Sequence, residues 1–205
     1  MSEAAAGIAL VVIAYLVGGI PWGVVLGRLF QQTDLRNYGS GGTGATNALR
    51  VLGWRISAVV LVLDFLKGFA PVFVALRIGL DGWWAAAAGV AAVAGHCWSP
   101  YIGFRGGKGM ATGAGAAAAL FPAVLLAAPI VVVIVALTRY VSLASLTVSV
   151  AASVALVALA AGGRTPWSVA TAVVVITAII VYKHEGNIKR LLSGTERRFG
   201  ERAVG

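Results

Sequence analysis

Long apolar runs separated by short polar stretches set the pattern of this chain. Seven apolar segments predict helices: Ala5–Leu29, Ile56–Arg77, Trp83–Trp98, Met110–Leu120, Pro122–Leu137, Val141–Ala161 and Pro166–Tyr182. About 20 apolar residues cross a hydrocarbon core of about 30 Å. The pattern therefore predicts an all-α polytopic transmembrane helix bundle, a single domain over residues 1–205. The fourth segment has 11 residues. At a rise of about 1.5 Å per residue this is roughly 16 Å, half the core. Met110–Leu137 could instead be one helix kinked at Pro122 and Pro129. The run "MATGAGAAAA" suits close packing among neighbours or a re-entrant piece sheltered by protein.

Composition agrees: the chain is 60% hydrophobic and 11% charged, where soluble domains are closer to about a quarter charged. The net charge of +9 comes from 16 Lys+Arg against 7 Asp+Glu. In a membrane chain such an excess reads as topology and contact with membrane lipids, not as nucleic-acid binding. The single cysteine, Cys97, excludes an internal disulfide and a cysteine-rich metal site. The start, "MSEAAAGIAL", has no positive n-region, and its apolar run continues to about Phe30. It reads as a retained helix, not a cleaved signal.

Charge chooses between seven spans and six. With seven, Arg28, Arg36, Arg50, Arg55, Arg105, Lys108, Arg139, Lys183, Lys189, Arg190, Arg197, Arg198 and Arg202 fall inside, and only Arg77 and Arg164 outside. With six, Arg139 and the basic tail move outside and the bias disappears. The positive-inside rule thus predicts seven spans, an outside N-terminus and a cytoplasmic C-terminus. The polar stretches Asp34–Arg50, Ser99–Gly109 and Lys183–Gly200 then share the cytoplasmic face.

Those stretches carry the candidate chemistry. In "LRNYGSGGTGATNALR", Gly41 and Gly44 allow the backbone to turn N–H groups toward an anion. Ser40, Thr43, Thr46 and Asn47 add neutral donors, and Arg50 adds a forked cation suited to phosphate. The alternative is a flexible connector with a topology-setting arginine. In "GFRGGKGMATG", Gly106, Gly107 and Gly109 flank Lys108 just before a predicted helix start, an anion site in miniature. It fails the P-loop pattern, since Gly109 stands where Ser or Thr should hold magnesium; a plain tight turn is the alternative. His96 reads as structural. In "YKHEGNIKRLLSGTERRFG", His184, Asn187 and Arg190 share a helical face, with His184 in a useful acid–base range. A basic amphipathic tail on the membrane surface is the alternative. In "LDFLKG", Asp64 and Lys67 are charges within an apolar span. They form a mutual ion pair, or Lys67 faces the polar cavity while Asp64 holds it.

"GSGGTGATN" with Arg50, "DFLKG", "GHCWSPYIGFRGGKGMAT" and "KHEGNIKRLLSGTE" resemble, in order, the signature stretches of the bacterial acyl-phosphate:glycerol-3-phosphate acyltransferases. The resemblance spans Gly18 to Glu196. It implies a seven-span enzyme of the bacterial inner membrane with its active site facing the cytoplasm. Such an enzyme moves a fatty acyl group from acyl phosphate to the 1-hydroxyl of glycerol 3-phosphate, giving lysophosphatidic acid and phosphate. Carried over by position, substrate and phosphate contacts fall on Ser40, Arg50, Lys108, His184 and Asn187, with the glycines of both loops shaping the pocket. Two positions depart from the family pattern: Gly42 stands where Asn is usual, and Glu185–Gly186 follow His184 in place of a basic and an acidic residue.

Acyl phosphate is already activated, so positioning and charge stabilisation suffice. No nucleophile–base–orienter set is evident, which predicts direct attack without an acyl-enzyme. The expected catalytic residues are Lys108, His184, Asn187 and Ser40; the proton goes to His184 or to a substrate phosphate oxygen. No cofactor and no metal are expected. The expected partners are the two substrates, membrane lipids and the enzyme that makes acyl phosphate. The alternative function is a small transporter of an anionic or phosphorylated solute, since glycine breaks and intramembrane charges also suit transporters.

Overall fold

The structure is a computed structural model that describes residues 2–201. Arg202, counted above among the inside charges, lies outside the described residues. Every regular element among the described residues is helical. The helices are α1 (Glu3–Gly19), α2 (Trp22–Gln31), α3 (Ala45–Leu52), α4 (Trp54–Arg77), α5 (Gly82–Cys97), α6 (Met110–Leu120), α7 (Ala128–Thr138), α8 (Val141–Ala161), α9 (Trp167–Lys183) and α10 (Glu185–Leu192).

α1 starts where Ser2 caps it, its hydroxyl accepting the Ala5 N–H. The single first helix expected over Ala5–Leu29 is instead two. Pro21 cannot donate to the helical ladder, so α1 ends at Gly19 and α2 begins at Trp22. The pair still forms one apolar run of 29 residues. With α4 and α8 it makes three helices long and apolar enough to cross a membrane, or four if α9 and α10, bent by 61°, count as one.

Met110–Leu137 is not one kinked helix. α6 stops at Leu120, Phe121 is extended, and Pro122–Ala127 winds as 3₁₀ turns before α7. Pro122 and Pro129 sit in the first turns of successive helical pieces, where a missing N–H is tolerated.

Glycines bring main chains together on one side of the bundle. A Cβ on Gly18 would lie 2.1 Å from the Ala92 carbonyl oxygen, and one on Gly95 2.1 Å from that of Tyr15, which fixes α1 against α5. Likewise, a Cβ on Gly68 would lie 2.0 Å from the Thr112 carbonyl oxygen, and one on Gly115 2.0 Å from that of Phe65, joining α4 to α6. The short α6 is thus packed against protein, as its glycine and alanine content predicts, and buries Thr112, Gly113 and Gly115–Ala118. On the other side, hydroxyls tie α8 to α9: Ser153 donates to Thr177 Oγ1 (2.8 Å), and Thr177 donates to the Ser149 carbonyl (3.1 Å). No residue of α7 is buried.

Candidate active site

Three polar segments meet at one rim of the bundle. The first is the turn between α2 and α3. Asp34 anchors its start, accepting from the Arg36 N–H and pairing with Arg28 and Arg36, each at 2.7 Å. The side-chain hydrogen bond from Arg36 holds the Asp34 carboxyl well below the usual range against the opposing effect of its partial burial. Asn47, on α3, then organises the turn. Its Nδ2 donates to the carbonyls of Leu35 (3.0 Å), Tyr38 (3.1 Å) and Gly42 (2.9 Å), and its Oδ1 accepts the Ser40 N–H (2.9 Å). Arg50, one turn further along α3, faces the cavity. Burial, reinforced by Arg197, lowers its pKa.

The second segment leaves α5 at Trp98. Ser99 pairs with Arg105 in an isolated bridge, and Gly106 and Gly107 then lie against His96 near the end of α5. The Gly107 N–H donates to the His96 carbonyl (3.1 Å). Gly109 adopts a φ of +82°, which favours glycine, and hands Lys108 to the start of α6.

The third segment is the bend between α9 and α10. His184 stands at the N-terminal boundary of α10, and His184, Asn187 and Arg190 follow one face, as their spacing predicts. His184 and Asn187 are buried. Arg190 is partly exposed and paired: its Nε donates to Glu196 Oε2 (2.8 Å).

A relay of hydrogen bonds joins the second and third segments. Lys108 Nζ donates to Asn187 Oδ1 (2.5 Å), Asn187 Nδ2 donates to Glu196 Oε1 (2.6 Å), and Ser142 of α8 donates to the same oxygen (2.8 Å). Burial works to raise the Glu196 pKa, but the bonds from Asn187, Ser142 and Arg190 outweigh it and hold the carboxyl low. Burial pushes Lys108 down to about 8, with Glu196 opposing. His184 is pushed down to about 4, again chiefly by burial. Its Nδ1 lies 2.7 Å from the Ile180 carbonyl oxygen, which can only accept. The proton therefore sits on Nδ1, and Nε2 of the neutral ring carries the lone pair.

These segments enclose a cavity of about 450 Å³. Of the expected residues, Ser40, Gly44, Thr46, Asn47, Arg50, Gly107, Lys108, Gly109, His184 and Asn187 line it. Gly41, Thr43, Gly106 and Lys67 do not. Gly41 shapes the turn with a φ of +68°, and Thr43 is buried behind it. Lys67 points away from the expected polar cavity: its Nζ pairs with Asp64 Oδ1 (2.8 Å) and donates to the Ile20 carbonyl (2.8 Å). In its place Asp64 and His96 reach the wall. Sequence reasoning also passed over Glu196 and Ser142. The signal for Glu196 was a carboxylate set directly beside two arginines in a basic tail, "SGTERRFG".

Met110, Ala114 and Val131 also border a second cavity of about 170 Å³ between α6, α7, α8 and α9, walled almost wholly by apolar side chains such as Val124, Leu125, Val148 and Ile176. A cationic chamber thus adjoins a hydrocarbon one.

Residues 8–194 match the family model described as glycerol-3-phosphate acyltransferase. A glycerol-3-phosphate acyltransferase of Thermus thermophilus is 47% identical over 192 residues, covering 93% of this chain and 94% of that protein. The fold is similar to the crystal structure of PlsY (YgiH), an integral membrane glycerol 3-phosphate acyltransferase, in its glycerol 3-phosphate form: the TM-score is 0.87 at 43% identity, over 95% of this chain and 96% of that one. Its lysophosphatidic acid form gives a TM-score of 0.85 at 41% identity, with the same coverage. This all-helical membrane chain belongs to the glycerol-3-phosphate acyltransferase family.

Proposed function

We propose that the chain transfers a fatty acyl group from acyl phosphate to the 1-hydroxyl of glycerol 3-phosphate, releasing lysophosphatidic acid and phosphate. The observation that carries this reading is the adjoining pair of cavities. The polar one offers Arg50 and Lys108, backbone turns and hydroxyls to two phosphorylated head groups. The apolar one offers a lining for a hydrocarbon tail. Family membership argues against the transporter alternative.

In this mechanism Lys108 and Arg50 neutralise phosphate oxygens, and Ser40 with the turn around Gly44 and Thr46 positions a head group. Asn187 is held by Glu196, and its Oδ1 fixes the Lys108 ammonium. The glycerol hydroxyl attacks the acyl carbonyl directly. Its proton goes to a phosphate oxygen of the substrates or to Nε2 of His184, whose lone pair is free because Nδ1 is committed to Ile180 but whose basicity burial lowers. The C–O bond to phosphate then breaks, and phosphate departs as an anion between the cations. In this reading the attack needs no acyl-enzyme, and Cys97, the one thiol, is buried and does not line the polar cavity.

The same reading gives the chain seven spans in a bacterial inner membrane, its N-terminus outside and the site facing the cytoplasm. In that reading the shorter helices α5 and α6 cross or partly cross the bilayer packed within protein, and α7 lies at the lipid-facing edge of the bundle. The enzyme that makes acyl phosphate is its expected donor-side partner.

The test is an assay of purified protein with glycerol 3-phosphate and acyl phosphate, with acyl-CoA offered in parallel. Lysophosphatidic acid should form from acyl phosphate alone. Equal rates from acyl-CoA would refute the donor assignment.

A further inference from the structure

A buried charged cluster lies directly beneath the Lys108 turn, and the reaction outlined above makes no use of it. Its top is His96. Gly106 and Gly107 lie so close to that residue that a Cβ on Gly107 would sit 2.0 Å from His96 Nε2, and one on Gly106 2.1 Å from the His96 carbonyl oxygen. The opposite ring nitrogen, Nδ1, is 3.7 Å from Asp64 Oδ1. Asp64 is 1% exposed, and neither of its oxygens has a partner in hydrogen-bonding geometry among the described residues. Lys67 supplies the counter-charge at 2.8 Å, and its remaining contact is the Ile20 carbonyl in the break between α1 and α2. Ser99 takes the neighbouring Gly19 carbonyl at 2.6 Å. Contacts therefore run without interruption from the break in the first span, through Lys67, Asp64 and His96, to the turn that carries Lys108.

A buried ion pair is weak evidence for stability, because desolvating both charges offsets most of their attraction. A well-packed apolar pair would serve a bundle this rich in close helix contacts equally well. What the charges do give is direction: Asp64, held by Lys67, stands at the Nδ1 edge of the His96 ring, and the Nε2 edge meets Gly107 and sets the height of the turn. Lys108 is one residue beyond Gly107, so the position of its ammonium follows that height.

We propose that His96 is a positioning residue for Lys108, backed by the Asp64–Lys67 pair, and that this cluster, although His96 and Asp64 reach the cavity wall, sets the affinity of the phosphate subsite containing Lys108 through that lysine. The inference rests on the reading of the cavity as the substrate site.

The experiment measures the affinity of purified protein for two probes, glycerol 3-phosphate and a non-transferable acyl phosphonate. Lys108→Ala identifies the probe whose phosphate the turn holds. His96→Gln should weaken that same probe by about tenfold and leave the other within about twofold, because a shift of about 1 Å in one binding group suffices for such losses. In the His96→Gln/Lys108→Ala double variant the His96 effect should vanish, since it acts through the lysine. Asp64→Asn/Lys67→Met, which strands neither charge, should weaken the same probe by about threefold or more. Equal losses for both probes, additive losses in the double variant, or unchanged affinities in both His96→Gln and Asp64→Asn/Lys67→Met would overturn the inference. Failure of the wild-type protein to bind either probe would instead overturn the substrate-site reading itself.

Discussion

The turn around Gly41 is held from within, and the turn around Gly107 from outside. In the first, one side chain, Asn47, gathers three carbonyls and an N–H into its own grip. In the second, no side chain of the turn organises it; Gly106 and Gly107 rest on His96 of a different helix, and Lys108 reaches across to Asn187. Their glycines accordingly serve different ends. Gly41 is needed for its left-handed backbone, whereas Gly106 and Gly107 are needed because nothing larger fits. The similar composition therefore conceals one locally encoded loop and one that depends on tertiary contacts.

That contrast can be probed in order of expected effect. Lys108→Ala should lower kcat/KM for acyl transfer by about 10²–10³, the usual result of removing a charge-stabilising donor from a closed site. Steady-state assays on protein with unchanged thermal unfolding would check it. Gly107→Ala should cost about 10², because the new methyl collides with His96 and displaces the turn. Activity near the wild-type level would mean that the external support is not rigid.

A pH profile addresses Lys108 without mutation. Its pKa of about 8 means the ammonium is lost as pH rises past that value, so kcat/KM should fall by about tenfold per unit above it. His184, at about 4, is neutral throughout this range and should give no limb near 6.5. Because His184 binds its proton less readily folded than unfolded, its contribution to stability declines as pH falls from about 6.5 to about 4.

Asn47→Ala strands the Leu35, Tyr38 and Gly42 carbonyls and should lower stability by about 1–3 kcal/mol. Chemical denaturation in detergent would measure the loss. Gly42→Asn should have the smallest effect, within about twofold in activity. Gly42 has no positive φ, and the nearest atom to an added Cβ is Ser40 Oγ at 3.5 Å, an ordinary contact.

What the sequence disclosed follows the same division. Apolar runs located the helices closely: the α6 and α8 boundaries coincide with the expected ones, because glycine, proline and aromatic residues punctuate them. The three polar stretches were expected on one side from the distribution of positive charge, and residues of all three do line one cavity. Rotation about a helix axis was not legible. In a helix apolar on every face, no stripe tells which side looks inward, so the sequence left open whether Lys67 paired with Asp64 or faced the cavity; it pairs with Asp64, and Asp64 and His96 stand at the cavity instead. Asn47 posed a related difficulty: it lines the cavity, yet its amide is spent on its own loop. Pro21 announced a possible break, but the apolar run on both sides concealed it.

The uneven packing of the bundle has a mechanical consequence. Where α1 meets α5 and α4 meets α6, main chains touch and leave no slack. The opposite wall, formed by α7 and the 3₁₀ stretch before it, buries nothing and rests on few neighbours. Compliance is therefore concentrated beside the apolar chamber. On the proposed reading of the two chambers, tails of differing bulk are accommodated by yielding on that flank, while the groups lining the polar cavity keep their registry on the stiff one.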